Sequence, residues 1–223
     1  MDVPDLVPKL LEVYADGAFP MADARTGTIG FYTADPRVLV PLDESFHTPR
    51  TVDRDIRRAR FRFRTDTAFE AVVSGCARPR RGAEPEDAWL DGTIAGWLVE
   101  LHHAGHAHSL EAWASDENGD EALVGGIYGV SIGSAFLGES MFHRARPRRD
   151  DNSRDPLDGT GASSACLVSL HRHLRDCAYT LFDAQIPNPH TERFGLREVR
   201  LDDYRRSLAK AASDPDRWRP LPA

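Results

Sequence analysis

The chain has 223 residues, of which 41% are hydrophobic and 28% charged, and its formal net charge is −7 at pH 7. This fits a folded globular protein, built as one large domain or as a small domain joined to a larger one, and the acidic charge argues against indiscriminate binding to nucleic acid. No apolar run approaches the roughly 20 residues of a membrane-spanning helix, so no membrane partner is expected.

The first half of the chain is predicted to alternate helices with short strands. In order, the patterns predict a helix over residues 4–16, a strand within 31–42, a basic helix over 50–58, a strand over 61–65, a helix over about 67–77 and a helix over 93–104. Thr67 and Glu70 have the spacing of a capping box, and Asp91 is a candidate N-cap for the last of these helices.

The second half is predicted to be built on strands. Residues 107–114, 121–133 and 134–140 read as three successive antiparallel strands separated by turns. A charged loop rich in proline and glycine follows over 143–161, and we expect it to be mobile. A helix over 162–176, a strand over 179–185, a short helix over 191–195, a strand over 196–201 and a helix over 202–212 complete the order. The expected fold is an α+β sheet layered with helices.

The N-terminus and the cysteines indicate a cytoplasmic protein. The first 17 residues lack the basic and apolar regions of a secretory signal. Cys76, Cys166 and Cys177 form no CxxC motif and cannot all pair with one another, which fits a reducing compartment.

Residues 50–64 form a strongly basic segment in this acidic protein, with seven arginines and two aspartates. Helical spacing would place Arg50, Arg54, Arg57 and Arg58 on one face, which is suited to contacts with the phosphates of a nucleic acid. The alternative is a solvated helix face without a partner.

Four motifs occur in order: HxxGHAHSxExW from His102, LVGGxYGV from Leu123, GESMF from Gly138 and DxQ from Asp183. Each motif alone is a weak signal, but together they resemble the leucyl/phenylalanyl-tRNA-protein transferases, over residues 14 to about 208. The resemblance implies a small N-terminal α/β domain, set at residues 1–65, and an acetyltransferase-like (GNAT-type) domain with a mixed, largely antiparallel sheet, set at 66–223. It implies transfer of an amino acid from aminoacyl-tRNA, held by its 3′ acceptor end, to an acceptor protein or peptide.

Asp183 and Gln185 are the expected catalytic residues. At positions i and i+2 of a strand, their side chains would project from the same face. The Gln185 carbonyl could accept a hydrogen bond from an incoming amine, while the Asp183 carboxylate fixes the amide and stabilises positive charge on that amine. The resemblance implies that this amine is the N-terminus of a protein beginning with Arg or Lys. Since the ester of aminoacyl-tRNA is already activated, no cofactor and no metal are expected.

Further residues match positions that bind substrate in the family. The resemblance implies an apolar pocket for the side chain of leucine, methionine or phenylalanine, lined by Ile127, Phe136, Met141, Leu167, Leu170 and Phe182. Plain core packing is the alternative for each of them. Glu139 could receive the α-ammonium of the ligand or make a structural hydrogen bond. Tyr32 and Trp89 match positions that stack on the terminal adenine, and Asn188 matches the loop after DxQ. The arginines of the basic face are then candidate tRNA ligands.

Other interpretations stay open. His102 and His106 have metal-ligand spacing, but Gly105 interrupts that helix and no HExxH motif is present. Ser164 stands where the family often has lysine, which puts one RNA or substrate contact in doubt. A relative that binds aminoacyl-tRNA without transfer, or a transferase with a different acceptor, is therefore an alternative. A monomer is expected.

Overall fold

The computed structural model describes residues 6–23, 25–78, 90–147, 149–150 and 152–222. The helices are α1 (Leu6–Ala15), α2 (Arg50–Arg57), α3 (Phe69–Ala77), α4 (Gly92–His103), α5 (Ala162–Asp176), α6 (Pro189–Glu192) and α7 (Leu201–Ala212). The strands are β1 (Phe19–Ala22), β2 (Ile29–Tyr32), β3 (Arg37–Leu39), β4 (Arg62–Thr65), β5 (Ala107–Ser115), β6 (Glu121–Ile132), β7 (Ala135–His143), β8 (Leu181–Gln185) and β9 (Arg197–Val199). None of the described helices has the length and apolar character needed to cross a membrane.

Seven strands form one sheet in the order β4-β5-β6-β7-β8-β3-β9. The three predicted antiparallel strands are confirmed as β5, β6 and β7, and β8 joins β7 in the parallel direction. The short strand predicted within residues 31–42, bounded by prolines, is confirmed as β3, which follows Pro36 and lies between β8 and β9 in the large sheet. Residues 31 and 32 belong instead to β2, which pairs with β1 in a separate hairpin.

Both faces of the sheet are covered, which explains the nearly continuous burial of β6. On one face, Tyr128 and Val130 pack in a cluster with residues of α1, α3, α4 and α7. On the other, Val124 and Ile127 pack in a cluster with α5. The sheet is therefore the central layer of a mixed α/β structure.

The large sheet takes strands from both sides of residue 65. β3 and β4 precede the expected domain boundary, yet β3 pairs with β8 and β4 pairs with β5. The sheet thus continues across that boundary, and the division into residues 1–65 and 66–223 stays a prediction.

The HSLEAW segment supplies the N-terminal cap of α3. The capping box predicted for Thr67 and Glu70 is wrong, because the N-cap is Ala68 and its side chain makes no cap bond. Instead, the buried Glu111 carboxylate accepts hydrogen bonds from the Ala68 N–H, at 2.6 Å, and from the Thr67 hydroxyl. Ser109 and Trp113 also donate to Glu111. By contrast, the cap predicted at Asp91 is confirmed, since its side chain accepts from the Ile94 N–H at 2.8 Å.

Gly129 of the LVGGIYGV motif has no room for a side chain. It lies at an irregularity in the β6–β7 register, and a Cβ atom there would come within 2.4 Å of the Leu137 carbonyl oxygen. We expect Gly129→Ala to lower the free energy of unfolding by about 2 kcal/mol or more, because the obstacle is backbone rather than a flexible side chain. Denaturant unfolding measures this.

Gly96→Ala is the matched control. Gly96 is inside α4 and nothing lies within 4 Å of the added Cβ, so the same substitution should stabilise the protein by about 0.5 to 1 kcal/mol through helix propensity. Equal effects of the two substitutions would contradict the packing argument.

Candidate functional site

Asp183 lies at the centre of a buried polar network and is 0% exposed. Arg37 donates to its two carboxylate oxygens, with Nε at 3.0 and 3.1 Å and Nη2 at 2.5 Å. The Tyr204 hydroxyl donates to Oδ2 at 2.8 Å, and the backbone N–H of Gln185 donates to Oδ1 at 2.7 Å. The charge of Asp183 is thus balanced by a cation, and both of its oxygens are already in use.

Three distant parts of the chain position Arg37 against Asp183. The register of β3 with β8 places Leu39 opposite Asp183, which brings Arg37 to the same end of the sheet. The Arg37 guanidinium lies between the rings of Phe19 and Tyr204, at 4.9 and 4.5 Å from their centroids, and it also donates to the Gly17 carbonyl. A buried ion pair is tolerated when its remaining hydrogen-bonding groups are satisfied in this way.

Gln185 departs from strand geometry, since its φ angle is +63°. The alternation assumed for positions 183 and 185 therefore ends at Gln185. Its Nε2 donates to Glu139 Oε1 at 2.9 Å. The expectation that the Asp183 carboxylate fixes the side-chain amide of Gln185 is wrong. Asp183 accepts a hydrogen bond from the backbone N–H of Gln185 and none from its side chain. Glu139 orients the amide, and this leaves the Gln185 carbonyl as its accepting side.

One carboxyl oxygen of Glu139 makes no hydrogen bond of normal geometry. The residue as a whole is partly exposed, but Oε2 is buried. The buried hydroxyls of Tyr14 and Tyr128 also lack partners of normal hydrogen-bond geometry, although both interact electrostatically with Glu139. Burial raises the pKa of the Glu139 carboxyl from 4.5 to about 8; the Tyr14 hydroxyl opposes this shift, and the charge of Asp183 adds to it. The site therefore contains a carboxyl group that titrates near neutral pH.

The residues predicted to line an apolar pocket lie together. Five are buried in the cluster that includes α5, namely Ile127, Phe136, Leu167, Leu170 and Phe182. The sixth, Met141, is partly buried against that cluster and is the direct cross-strand partner of Ile127. Their proximity is compatible with both a pocket and a core, and the partial exposure of Met141 makes it the most accessible of the six.

The structure describes two of the three residues predicted to contact the adenine and the acceptor, Tyr32 and Asn188. Tyr32 is 47% exposed on β2, and its neighbour Phe31, which the sequence did not single out, is 50% exposed and stacks on Trp97. Trp89 lies outside the described residues. The Asn188 carbonyl accepts hydrogen bonds from the N–H and the hydroxyl of Thr191, which fixes the start of α6 beyond β8.

The predicted basic face is exposed on α2. Arg50, Arg54, Arg57 and Arg58 are all exposed, and Arg58 is the residue at which the helix ends. Asp53 pairs with Arg57 at 2.9 Å and also lies 3.8 Å from Arg172 of α5. Arg172, half exposed, extends this surface onto a second helix that sequence spacing did not connect to the first.

His102, which has metal-ligand spacing with His106 in the sequence, lies near His108 and Asp66. Ligand atoms of His102, His108 and Asp66 lie within 4.8 Å of one another. Both ring nitrogens of His108 have protein partners, Asp66 at 2.9 Å and the Gly105 carbonyl at 3.2 Å, and Trp218 stacks on the ring. His108 and Asp66 thus hold Trp218 of the C-terminal segment against the sheet.

At position 164, where the family often has lysine, a different cation is present. Arg193, from the loop after α6, donates to the Ser164 hydroxyl at 2.6 Å. An arginine distant in sequence thus brings positive charge to the site of the missing lysine.

Sequence reasoning missed Arg37, Tyr204 and Tyr14 as members of the site. Tyr14 and Tyr204 lie close to the two ends of the stretch, residues 14 to about 208, over which the resemblance runs. Arg37 carried a signal of its own, since it is a charged residue next to the apolar run Val38–Val40. Position in a motif did not reveal that all three converge on Asp183 and Glu139.

The raised pKa of Glu139 predicts a pH-dependent penalty on stability. Between pH 4.5 and about 8, the folded state holds more protons on Glu139 than the unfolded state, so the free energy of unfolding should fall as pH rises through this window. The side chain in Glu139→Gln stays neutral at every pH. As pH rises through this window, the free energy of unfolding of the variant should therefore increase relative to that of the wild type by up to about 1.4 kcal/mol per pH unit.

Denaturant unfolding of both proteins between about pH 5 and 9 measures this difference. Glu121→Gln is the control, because its partner Arg64 lowers the pKa of the Glu121 carboxyl, so that carboxyl is ionised in both the folded and the unfolded state over most of the range. Parallel curves for the wild type and Glu139→Gln would show that Glu139 ionises normally.

The chain is similar to known proteins of one family. The family model described as leucyl/phenylalanyl-tRNA protein transferase matches residues 38–209. A leucyl/phenylalanyl-tRNA–protein transferase from Akkermansia muciniphila is 43% identical over 210 residues, covering 94% of this chain and 97% of that protein. Proteins of the same name from Synechococcus sp. and Salinibacter ruber are 39% and 38% identical, covering 94% and 97% of this chain and 96% and 85% of their own lengths. The chain belongs to the leucyl/phenylalanyl-tRNA protein transferase family.

Proposed function

We propose that this protein is an aminoacyltransferase that moves leucine, phenylalanine or methionine from aminoacyl-tRNA to the N-terminal amine of proteins beginning with Arg or Lys, which marks them for degradation. The observation that carries the proposal is the contact between Gln185 and Glu139 beside the Arg37–Asp183 pair, in a chain of this family. No other substrate of the reaction is required, because the ester bond supplies the energy for amide formation.

In the proposed reaction, the amine attacks the ester carbonyl carbon while the Gln185 carbonyl accepts one of its N–H groups. Glu139 holds the Gln185 amide at 2.9 Å, and Asp183 holds the backbone of the same residue at 2.7 Å. A neutral amide fixed at both ends orients the nucleophile without the need for reorganisation during the reaction. Asp183 acts through Gln185 and is a positioning residue.

The substrate-binding residues follow from the family and are proposals. The cluster of Ile127, Phe136, Met141, Leu167, Leu170 and Phe182 would hold the amino acid side chain, and Tyr32 would stack on the terminal adenine. Glu139 and Asn188 would lie at the reacting groups, and the arginines of α2 would bind tRNA phosphates. A two-domain arrangement with an acetyltransferase-like second domain, a monomeric state and a cytoplasmic location stay predictions.

A transfer assay tests the function. The protein should join leucine or phenylalanine from charged tRNA to peptides beginning with Arg or Lys, and not to peptides beginning with Asp or Ala. Gln185→Ala should lower the rate by about 10²-fold or more at unchanged tRNA affinity, because the Gln185 carbonyl orients the amine in the transition state. Asn118→Ala, in an exposed turn, is the control. Transfer at the wild-type rate by Gln185→Ala would remove that residue from the reaction.

The basic face of α2 makes a separate prediction about tRNA binding. Backbone contacts release counterions, so affinity should fall steeply with salt and depend little on the sequence of the tRNA body. Replacing Arg54 and Arg58 with Ala should flatten the slope of log K against log salt by about one unit for each phosphate that an arginine no longer neutralises.

Arg206 and Lys210 provide the matched control for this measurement. Both are exposed one turn apart on α7, so their double Ala variant removes the same charge from a different surface. Equal slopes in the wild type and the α2 variant would make the basic face a solvated helix surface.

A further inference from the structure

The proposed reaction needs a group that carries a proton. When an amine attacks an ester, its nitrogen gains positive charge and must lose a proton, and the departing ribose oxygen must gain one. A side chain that takes the first proton and supplies the second contributes about 10² to 10⁴ in rate. In the reaction proposed above, Gln185, Asp183 and Glu139 position the amine, and the group that transfers the proton is not yet assigned.

Most polar groups at the site are unsuited to it. Asp183 already accepts hydrogen bonds on both oxygens, and its charge is balanced by Arg37. Gln185 is a neutral amide and a weak base. Burial raises the pKa of the Tyr14, Tyr128 and Tyr204 hydroxyls above the ordinary value of 10.0, so these groups are neutral at working pH.

Glu139 has the required geometry. Its Oε1 accepts the Gln185 amide, and its Oε2, on the same carbon, is buried and makes no hydrogen bond of normal geometry, although the Tyr14 hydroxyl interacts with this carboxyl. An amine that donates to the Gln185 carbonyl would therefore approach the carboxyl group that holds the same amide. The ionisable groups facing Glu139 come from every surrounding element: Tyr14 of α1, Arg37 of β3, Tyr128 of β6, Asp183 of β8 and, bonded to Asp183, Tyr204 of α7.

The proton affinity of this carboxyl is matched to the reaction. Burial raises its pKa to about 8, and a peptide α-amine has an ordinary pKa of about 7.7 to 8.0. Proton exchange between two such groups is close to balanced, which is the condition under which a general base is most effective near neutral pH.

We propose that Glu139 is the catalytic residue that shuttles the proton in the transfer reaction. As the bond from nitrogen to the carbonyl carbon forms, Glu139 Oε2 takes one proton from that nitrogen. As the bond from the carbonyl carbon to the ribose oxygen breaks, the same proton passes to that oxygen. The products are an amide and a free ribose hydroxyl, and Glu139 returns to the carboxylate. This role rests on the proposed function and goes beyond the binding role expected from the sequence.

Single-turnover transfer at saturating acceptor peptide, measured from about pH 6 to 9.5, tests the proposal. The wild-type rate should rise with pH to a plateau, with an apparent pKa near that of Glu139. Glu139→Gln keeps an oxygen for the Gln185 amide but cannot take up a proton, so its rate should fall by about 10² or more and lose that rise. Glu139→Asp, which retains a carboxylate, should recover part of the rate and the rise with pH.

Other outcomes overturn the proposal in distinguishable ways. A Glu139→Gln protein with a raised KM for aminoacyl-tRNA, an unchanged plateau rate and an unchanged pH profile would make Glu139 a binding residue only. A lowered rate with the wild-type pH profile would make it a positioning residue. If the wild type itself transfers no amino acid to any peptide, the proposed function fails, and the shuttle fails with it.

Discussion

The site depends on the buried ion pair between Arg37 and Asp183. A carboxylate that is 0% exposed would be strongly destabilising without a compensating cation and hydrogen-bond donors. Supplying them requires β3 to lie beside β8, and α7 to bring Tyr204 onto the carboxylate. The pair therefore explains why residues near the N-terminus complete a sheet whose other strands come mainly from the middle of the chain. Gln185 is held in its left-handed conformation as a consequence.

Two carboxyl groups with opposite environments share this end of the sheet. Asp183 has a bidentate arginine, a tyrosine hydroxyl and a backbone N–H, whereas Glu139 has one amide donor and a buried oxygen without a partner. Sites that divide positioning from proton transfer place two acids in different surroundings. Asp183 is suited to fixing geometry, and Glu139 is suited to changing its charge.

Local features were largely predictable from the sequence, and long-range contacts were not. The strands β5, β6 and β7, the helix α5 and the cap at Asp91 follow from periodicity and from short-range side-chain chemistry. Arg37 and Asp183 are 146 positions apart in the sequence, and Glu111 is 43 positions from the Ala68 N–H that it caps. Contacts over such separations produce no periodic pattern in the sequence, so neither could be predicted. Gln185 has a positive φ angle, so regular strand alternation does not describe its position, and its contact with Glu139 could not be inferred from spacing.

The buried oxygens around Glu139 that make no hydrogen bond of normal geometry lower the stability of the folded protein. A buried oxygen without a partner is unfavourable, and folded proteins keep few of them. Here three such oxygens, on Glu139, Tyr14 and Tyr128, are electrostatically coupled to one another. They gather around Glu139, the partner of the Gln185 amide. The Arg37–Asp183 pair joins β3 to β8 without using any of these three oxygens.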